Sequence, residues 1–141
     1  MLTMDLSNLV ELLHDNKCSC VIYNQGNVTL CHERGVKDLF RILKTDPDLL
    51  NNAMIADKVI GKGAAVLLML GGVKTVYADV ISRPALELLS TAAVSVDYGE
   101  CVPNIINRAG TGICPVEKLC MDCKTAEECL PLIKGFISTL E

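Results

Sequence analysis

The chain has no tryptophan, two phenylalanines and three tyrosines. Any hydrophobic core must therefore be built from aliphatic side chains. Basic charge is also short: 13 Lys and Arg stand against 17 Asp and Glu, for a net charge of −4 and a pI near 5.2. A general nucleic-acid binder needs a basic face, so that class is excluded, although a local basic patch stays open. Long apolar runs are missing. The longest uncharged one, "GAAVLLMLGGV" from Gly63 to Val73, has 11 residues, against the about 20 that a membrane helix needs. The opening "MLTMDLSNLVELLHDN" lacks a basic leader region and carries acids inside its apolar pattern, unlike a signal peptide. These absences predict a soluble, cytoplasmic protein with no membrane partner. Histidine is scarce as well. His14 and His32 have no carboxylate or cysteine visibly arranged around them and read as surface or strand residues. There is no internal repeat, low-complexity tract or linker.

Apolar residues are abundant, at 50% of 141. That is ample for one sizeable core and predicts a single domain over residues 1–141. The apolar richness is also compatible with a homodimer. Eight cysteines raise the question of a disulfide framework. With no export signal and a core that needs no staples, reduced thiols are the expectation.

Leu6, Leu9, Val10 and Leu13 follow helical spacing and predict an amphipathic helix. "CSCVIY" (18–23) and "NVTLCH" (27–32) flank "NQG", the pattern of a β-hairpin. Val36, Leu39, Phe40 and Leu43 give a second helix, stopped by Asp46-Pro47. From there the rhythm changes to strand (52–60), helix (61–72), strand (73–81), helix (82–93) and strand (94–99). Such alternation with short connections implies parallel strands. The middle helix is apolar nearly all round and should be buried. Residues 100–113 read as irregular. Two helical segments close the chain, the second opened by a Thr125/Glu128 capping box and carrying Pro131 inside it.

Four cysteines fall within "GTGICPVEKLCMDCKTAEEC". Cys120-x-x-Cys123 has the spacing of a metal or redox pair but lies in or after a helix, without a second ligand pair. It reads as buried small hydrophobes. Cys114 differs. Pro115 suits the first helical position, so Cys114 would be an N-cap and Glu117 its capping-box partner. A thiol at a helix start is drawn toward thiolate. The preceding "NRAGTG" adds Asn107, Arg108, Thr111 and Gly112, polar groups and open backbone beside that sulfur.

A second stretch, "DKVIGKGAA", sets Gly61, Lys62 and Gly63 where a helix begins, a place that attracts anions. It fits neither a P-loop nor a full dinucleotide fingerprint. Asp79 at the end of the next strand is a partial match to a ribose-binding acid, which keeps a dinucleotide-binding half-domain as one reading.

Together "DKVIGKGAA" and "NRAGTGICPVE" resemble a small uncharacterised family of bacterial and archaeal proteins grouped by fold with the cytidine deaminases. The resemblance spans about Cys18 to Leu140. It implies a cytidine-deaminase-like three-layer α-β-α fold, with a mixed sheet of an N-terminal hairpin plus parallel strands. It also implies that residues 107–117 fold back toward the strand ends. Zinc deaminases carry H-x-E, or its Cys variant, at one helix start and P-C-x-x-C at the next. Here those starts read Lys62-Gly63-Ala64 and Ser82-Arg83-Pro84-Ala85. No metal and no cofactor are therefore expected. Asp57, Lys58, Lys62, Ser82 and Arg83 are predicted to gather at the carboxyl ends of the strands. Two functions follow. One is a binding module for a small nucleotide-like or anionic ligand, held by Lys58, Gly61, Gly63, Ser82, Asn107, Arg108, Thr111, Gly112 and Glu117. The other is a metal-independent enzyme in which Cys114 is nucleophile or acid, working with Lys62 and Asp57.

Overall fold

A computed structural model describes residues 5–32, 36–107 and 109–139. Helix α1 (Leu6–Asp15) starts at Asp5, whose carboxylate accepts the Asn8 N–H at 2.9 Å while the Asn8 side chain accepts the Asp5 N–H. This reciprocal cap satisfies two amides that a helix start leaves open. Strands β1 (Cys20–Asn24) and β2 (Asn27–Cys31) form the expected hairpin. Its loop is only Gln25-Gly26, with φ of 49° and 82°. Two successive left-handed residues match the twist of the flanking strands.

Helix α2 (Lys37–Thr45) ends before Pro47. Strand β3 (Met54–Ile60), helix α3 (Lys62–Gly71), strand β4 (Thr75–Ser82), helix α4 (Arg83–Ser90) and strand β5 (Ser95–Val102) complete the alternating section. The sheet order is β2-β1-β3-β4-β5, antiparallel through β1 and parallel from β3 to β5. The predicted mixed α/β architecture is thus present. Strand β5 runs three residues past its expected end, so Glu100–Val102 belong to it rather than to a loop. As an edge strand it is mostly exposed, and the apolar alternation that marks inner strands fades there.

Neighbouring strand residues point to opposite faces. Val21 and Ala56 pack under Leu9 and Leu13 of α1. Ile22 and Ile55 join the larger core on the other side. There α3 is central, with Ala65 to Leu68 fully buried and α2, α4, helix α5 (Pro115–Cys120) and helix α6 (Ala126–Ser138) around it. Helix α6 begins at its Thr125 cap and runs through Pro131. The Thr125 hydroxyl accepts the Glu128 N–H, while the Glu128 carboxylate reaches one residue further back, to the Lys124 N–H. Among the described residues no helix is long and apolar enough to cross a membrane.

Candidate functional site

Glu117 is the structural hub of the strand ends. It lies in the first turn of α5 and is 1% exposed. Its carboxylate accepts the Lys62 N–H at 3.0 Å, together with the Ser82 hydroxyl and the Ile105 N–H. Lys62 opens α3, and Ser82 caps α4, where its own oxygen accepts the Ala85 N–H at 3.2 Å. One carboxylate thus ties two helix starts and the 103–114 loop together. The expected capping role of Glu117 on its own helix is corrected. Cys114 does occupy the N-cap position, but its side chain makes no cap bond. Two backbone amides and a hydroxyl outbid the local partner.

The glycines explain how α5 comes so close. A Cβ on Gly63 would lie 2.3 Å from Cγ1 of Val116, and one on Gly61 would lie 3.2 Å from Ile105 and 3.4 Å from the Glu117 carboxylate. The close approach that these glycines permit is made by the protein's own α5. Lys62 faces away from this junction. Its ammonium donates to the carbonyls of Met121 and Cys123 at 3.2 and 2.7 Å, and it is 8% exposed.

Beside the hub lies a cavity of about 1010 Å³. Of the residues singled out in the sequence, Asp57, Lys58, Gly61, Gly63, Asn107, Cys114 and Glu117 line it. Lys62, Ser82, Thr111 and Gly112 do not. Lys62 and Ser82 are consumed as described, and Thr111 and Gly112 shape the loop. Asn107 accepts the Thr111 N–H and donates to its hydroxyl, while its own N–H meets the Gly112 carbonyl at 2.8 Å. Arg108 lies outside the described residues. The fold brings in groups that spacing did not reveal: His14 and Lys17 from the end of α1, Lys37 from α2 and Phe136 from α6. Their sequence distance from β3 hid them.

Asp57 forms part of the cavity wall. It pairs across the sheet with Cys20 on β1 and Ala78 on β4 and is 8% exposed. Burial pushes its carboxyl up to about 7, and the charge of Asp79 adds to this. The Val59 N–H, at 3.2 Å, pulls the other way. Cys18, which also lines the cavity, is raised by burial and lowered by the nearby Lys58. His14 is not alone: its Nε2 meets the Asp79 carboxylate at 2.7 Å, and Tyr77 donates to the same oxygen at 2.8 Å. That occupies Asp79, the candidate ribose acid.

Of the remaining cysteines, Cys20, Cys31, Cys120 and Cys129 are buried, while Cys101 and Cys123 are half-buried, so the expectation that both members of the Cys120/Cys123 pair are buried holds for Cys120 alone. Cys120 and Cys129 are fully buried, and burial raises both thiols. Among the described residues no cluster of three or more His, Cys, Asp and Glu side chains is arranged to hold a metal.

A five-stranded mixed sheet with helices on both faces, and a carboxylate bridging two helix starts beside a cavity, defines a mixed α/β domain. The chain belongs to the DUF1893 family, described as a domain of unknown function, whose model matches residues 8–137. A solved structure of a DUF1893 family protein from Thermotoga maritima is similar to it, with 26% identity and a TM-score of 0.83. The match covers 92% of this chain and 88% of that one. No curated protein matches the sequence significantly.

Proposed function

We propose that this domain binds a small anionic or nucleotide-like molecule in the cavity at the strand ends, without metal-dependent deamination. The observation that carries the reading is the cavity itself. It lies beside the carboxyl end of β3, where open parallel sheets bind ligands, and holds the buried carboxyls of Asp57 and Glu117, the exposed Asp15 and three lysines, Lys17, Lys37 and Lys58. Its volume is of the scale of small-molecule sites. The assumed setting is the cytoplasm, where eight free thiols stay reduced.

The cytidine-deaminase-like classification belongs to this proposal. In that fold the metal would sit at the starts of α3 and α4. The residues there do not fit a metal. Lys62, Gly63, Ala64, Ser82, Arg83 and Pro84 supply no His, Cys or carboxylate, and the Glu117 carboxylate that touches both helix starts is engaged by three protein donors. Stoichiometric zinc in the purified protein would overturn this part.

The test of binding is a thermal-shift screen against nucleosides, nucleotides and small anions. A ligand of the native state must raise Tm, by several degrees at a hundredfold excess over Kd. A screen with no response would refute the reading. A second reading, a metal-independent enzyme, draws on one observation: Cys114 lines the cavity as an N-cap whose thiol makes no cap bond. It requires Cys114 to react with iodoacetamide faster than free cysteine does.

A further inference from the structure

The cavity has two chemically distinct parts. Lys17, Lys37 and Lys58 line it without an ion pair to any described acid. In a chain with four more acids than bases, the lining sets these three lysines against an equal number of acids, Asp15, Asp57 and Glu117. Of the acids in the lining, Glu117 is fully engaged, Asp57 is buried, and Asp15 alone faces solvent. The rest of the wall mixes polar groups, among them His14, His32, Ser19 and Asn107, with an aliphatic part. Val36, Ala64 and Val116 lie on the helix side, and Val59, Ile105 and Ile106 on the loop side.

The apolar wall continues beyond the cavity. Val59, Ile105 and Ile106 also line a second groove of about 530 Å³, completed by Val80, Val102 and Ile113. Val59 and Ile106 are 46% and 55% exposed, so this surface stands open to water. The rings in the lining are Phe136 and the imidazoles of His14, which is paired with Asp79, and His32. Phe136 is the single Phe, Tyr or Trp of the lining, whereas Tyr23 and Tyr77 pack on the α1 side and Tyr98 is exposed on β5. Proteins that bind bases without reading their edges rely on such rings.

Resting on the binding reading above, we infer that the ligand is an anionic amphiphile: a carboxylate or phosphate monoester held by Lys17, Lys37 and Lys58, with an aliphatic body along Val59, Ile105 and Ile106 toward the second groove. The lysines supply charge-assisted contacts to the head. Each methylene laid on the apolar wall strengthens binding by its removal from water.

The experiment is calorimetric titration of the full chain with butyl, hexyl and octyl phosphate below their micellar concentrations. Octanol, inorganic phosphate and adenosine monophosphate are run in parallel. Affinity is expected to rise up to about fourfold per methylene. Octanol and inorganic phosphate should bind far more weakly than octyl phosphate. Lys58→Ala should weaken octyl phosphate about tenfold, and Ile106→Ser should flatten the chain-length dependence. Both positions are exposed, so the variants are expected to fold. Binding of adenosine monophosphate or inorganic phosphate, without binding of the alkyl phosphates, would overturn the inference and leave the anion-binding reading standing. No binding by any of these anions would overturn both. Octyl phosphate binding that ignores both substitutions places the ligand elsewhere and also overturns the inference.

Discussion

Asp57→Asn should make the protein more stable at alkaline pH, and the size of the effect follows from burial. The wild-type carboxyl is 8% exposed, and its pKa rises from 3.8 to about 7 because burial penalises the charged form. The folded state therefore holds a proton that the unfolded chain releases at lower pH. Stability from keeping Asp57 neutral is full below the unfolded pKa. It is lost as pH rises toward 7, and the curve is flat again above that. Each pH unit in the window costs about 1.4 kcal/mol. From pH 5 to pH 8 the wild type should thus lose about 3 kcal/mol relative to Asp57→Asn. The asparagine keeps an oxygen for the Val59 N–H, which the wild type donates at 3.2 Å. The assay is urea denaturation of both proteins at pH 5, 6, 7 and 8 under reductant, compared at equal m-value. Taking the difference between the proteins cancels every titration they share. If the two stability curves run parallel across this range, the reasoning is refuted.

Three further outcomes test the hub. Glu117→Gln should cost about 2–4 kcal/mol, because either amide orientation sets its NH2 against the N–H of Lys62 or of Ile105; a loss under about 0.5 kcal/mol in chemical denaturation would show that the carboxylate is dispensable. Gly63→Ala should lose about 1–3 kcal/mol, since its Cβ would meet Val116 at 2.3 Å, whereas Gly112→Ala, with nothing within 4 Å, should be neutral in the same melt. Lys62→Met should lower stability by about 1–3 kcal/mol through the two carbonyls it strips, Met121 and Cys123; an unchanged denaturation midpoint would refute that anchoring role.

Most of the fold was legible because its elements follow simple periods. The parallel section from β3 to β5 announces itself through apolar strands, a buried helix and glycine punctuation. The end of β5 was not legible, because an edge strand carries exposed residues such as Glu100 and needs no apolar alternation. The site was half legible. Strand-end logic placed Asp57 and Lys58 at the cavity but also Lys62 and Ser82, which do not line it; the glycine-flanked helix start supplied Gly61 and Gly63, and the loop with Cys114 folds back beside them. Lys17, Lys37 and Phe136 come from three separate helical regions, and only tertiary packing brings them together. Glu117 shows the limit of local rules. Its position fits a capping box, yet donors 12, 35 and 55 residues away claim it.

That competition also changes what the α3 start means. A glycine-flanked helix N-terminus predicts a bound anion, since its amides are unpaired and its dipole is positive there. An anion is indeed present at Gly61-Lys62-Gly63, but it is the protein's own Glu117. The Lys62 amide is spent, and so is the Ser82 hydroxyl at the neighbouring start. A phosphate or carboxylate entering the cavity therefore cannot rely on these groups. Among the described residues, the cations that line the cavity without an ion pair are Lys17, Lys37 and Lys58. Point charges on flexible stems hold a phosphate without fixing its geometry. The shape and length of the apolar wall are then left to discriminate among ligands, so changing Val59 or Ile106 should shift which anions bind more than changing any one lysine does.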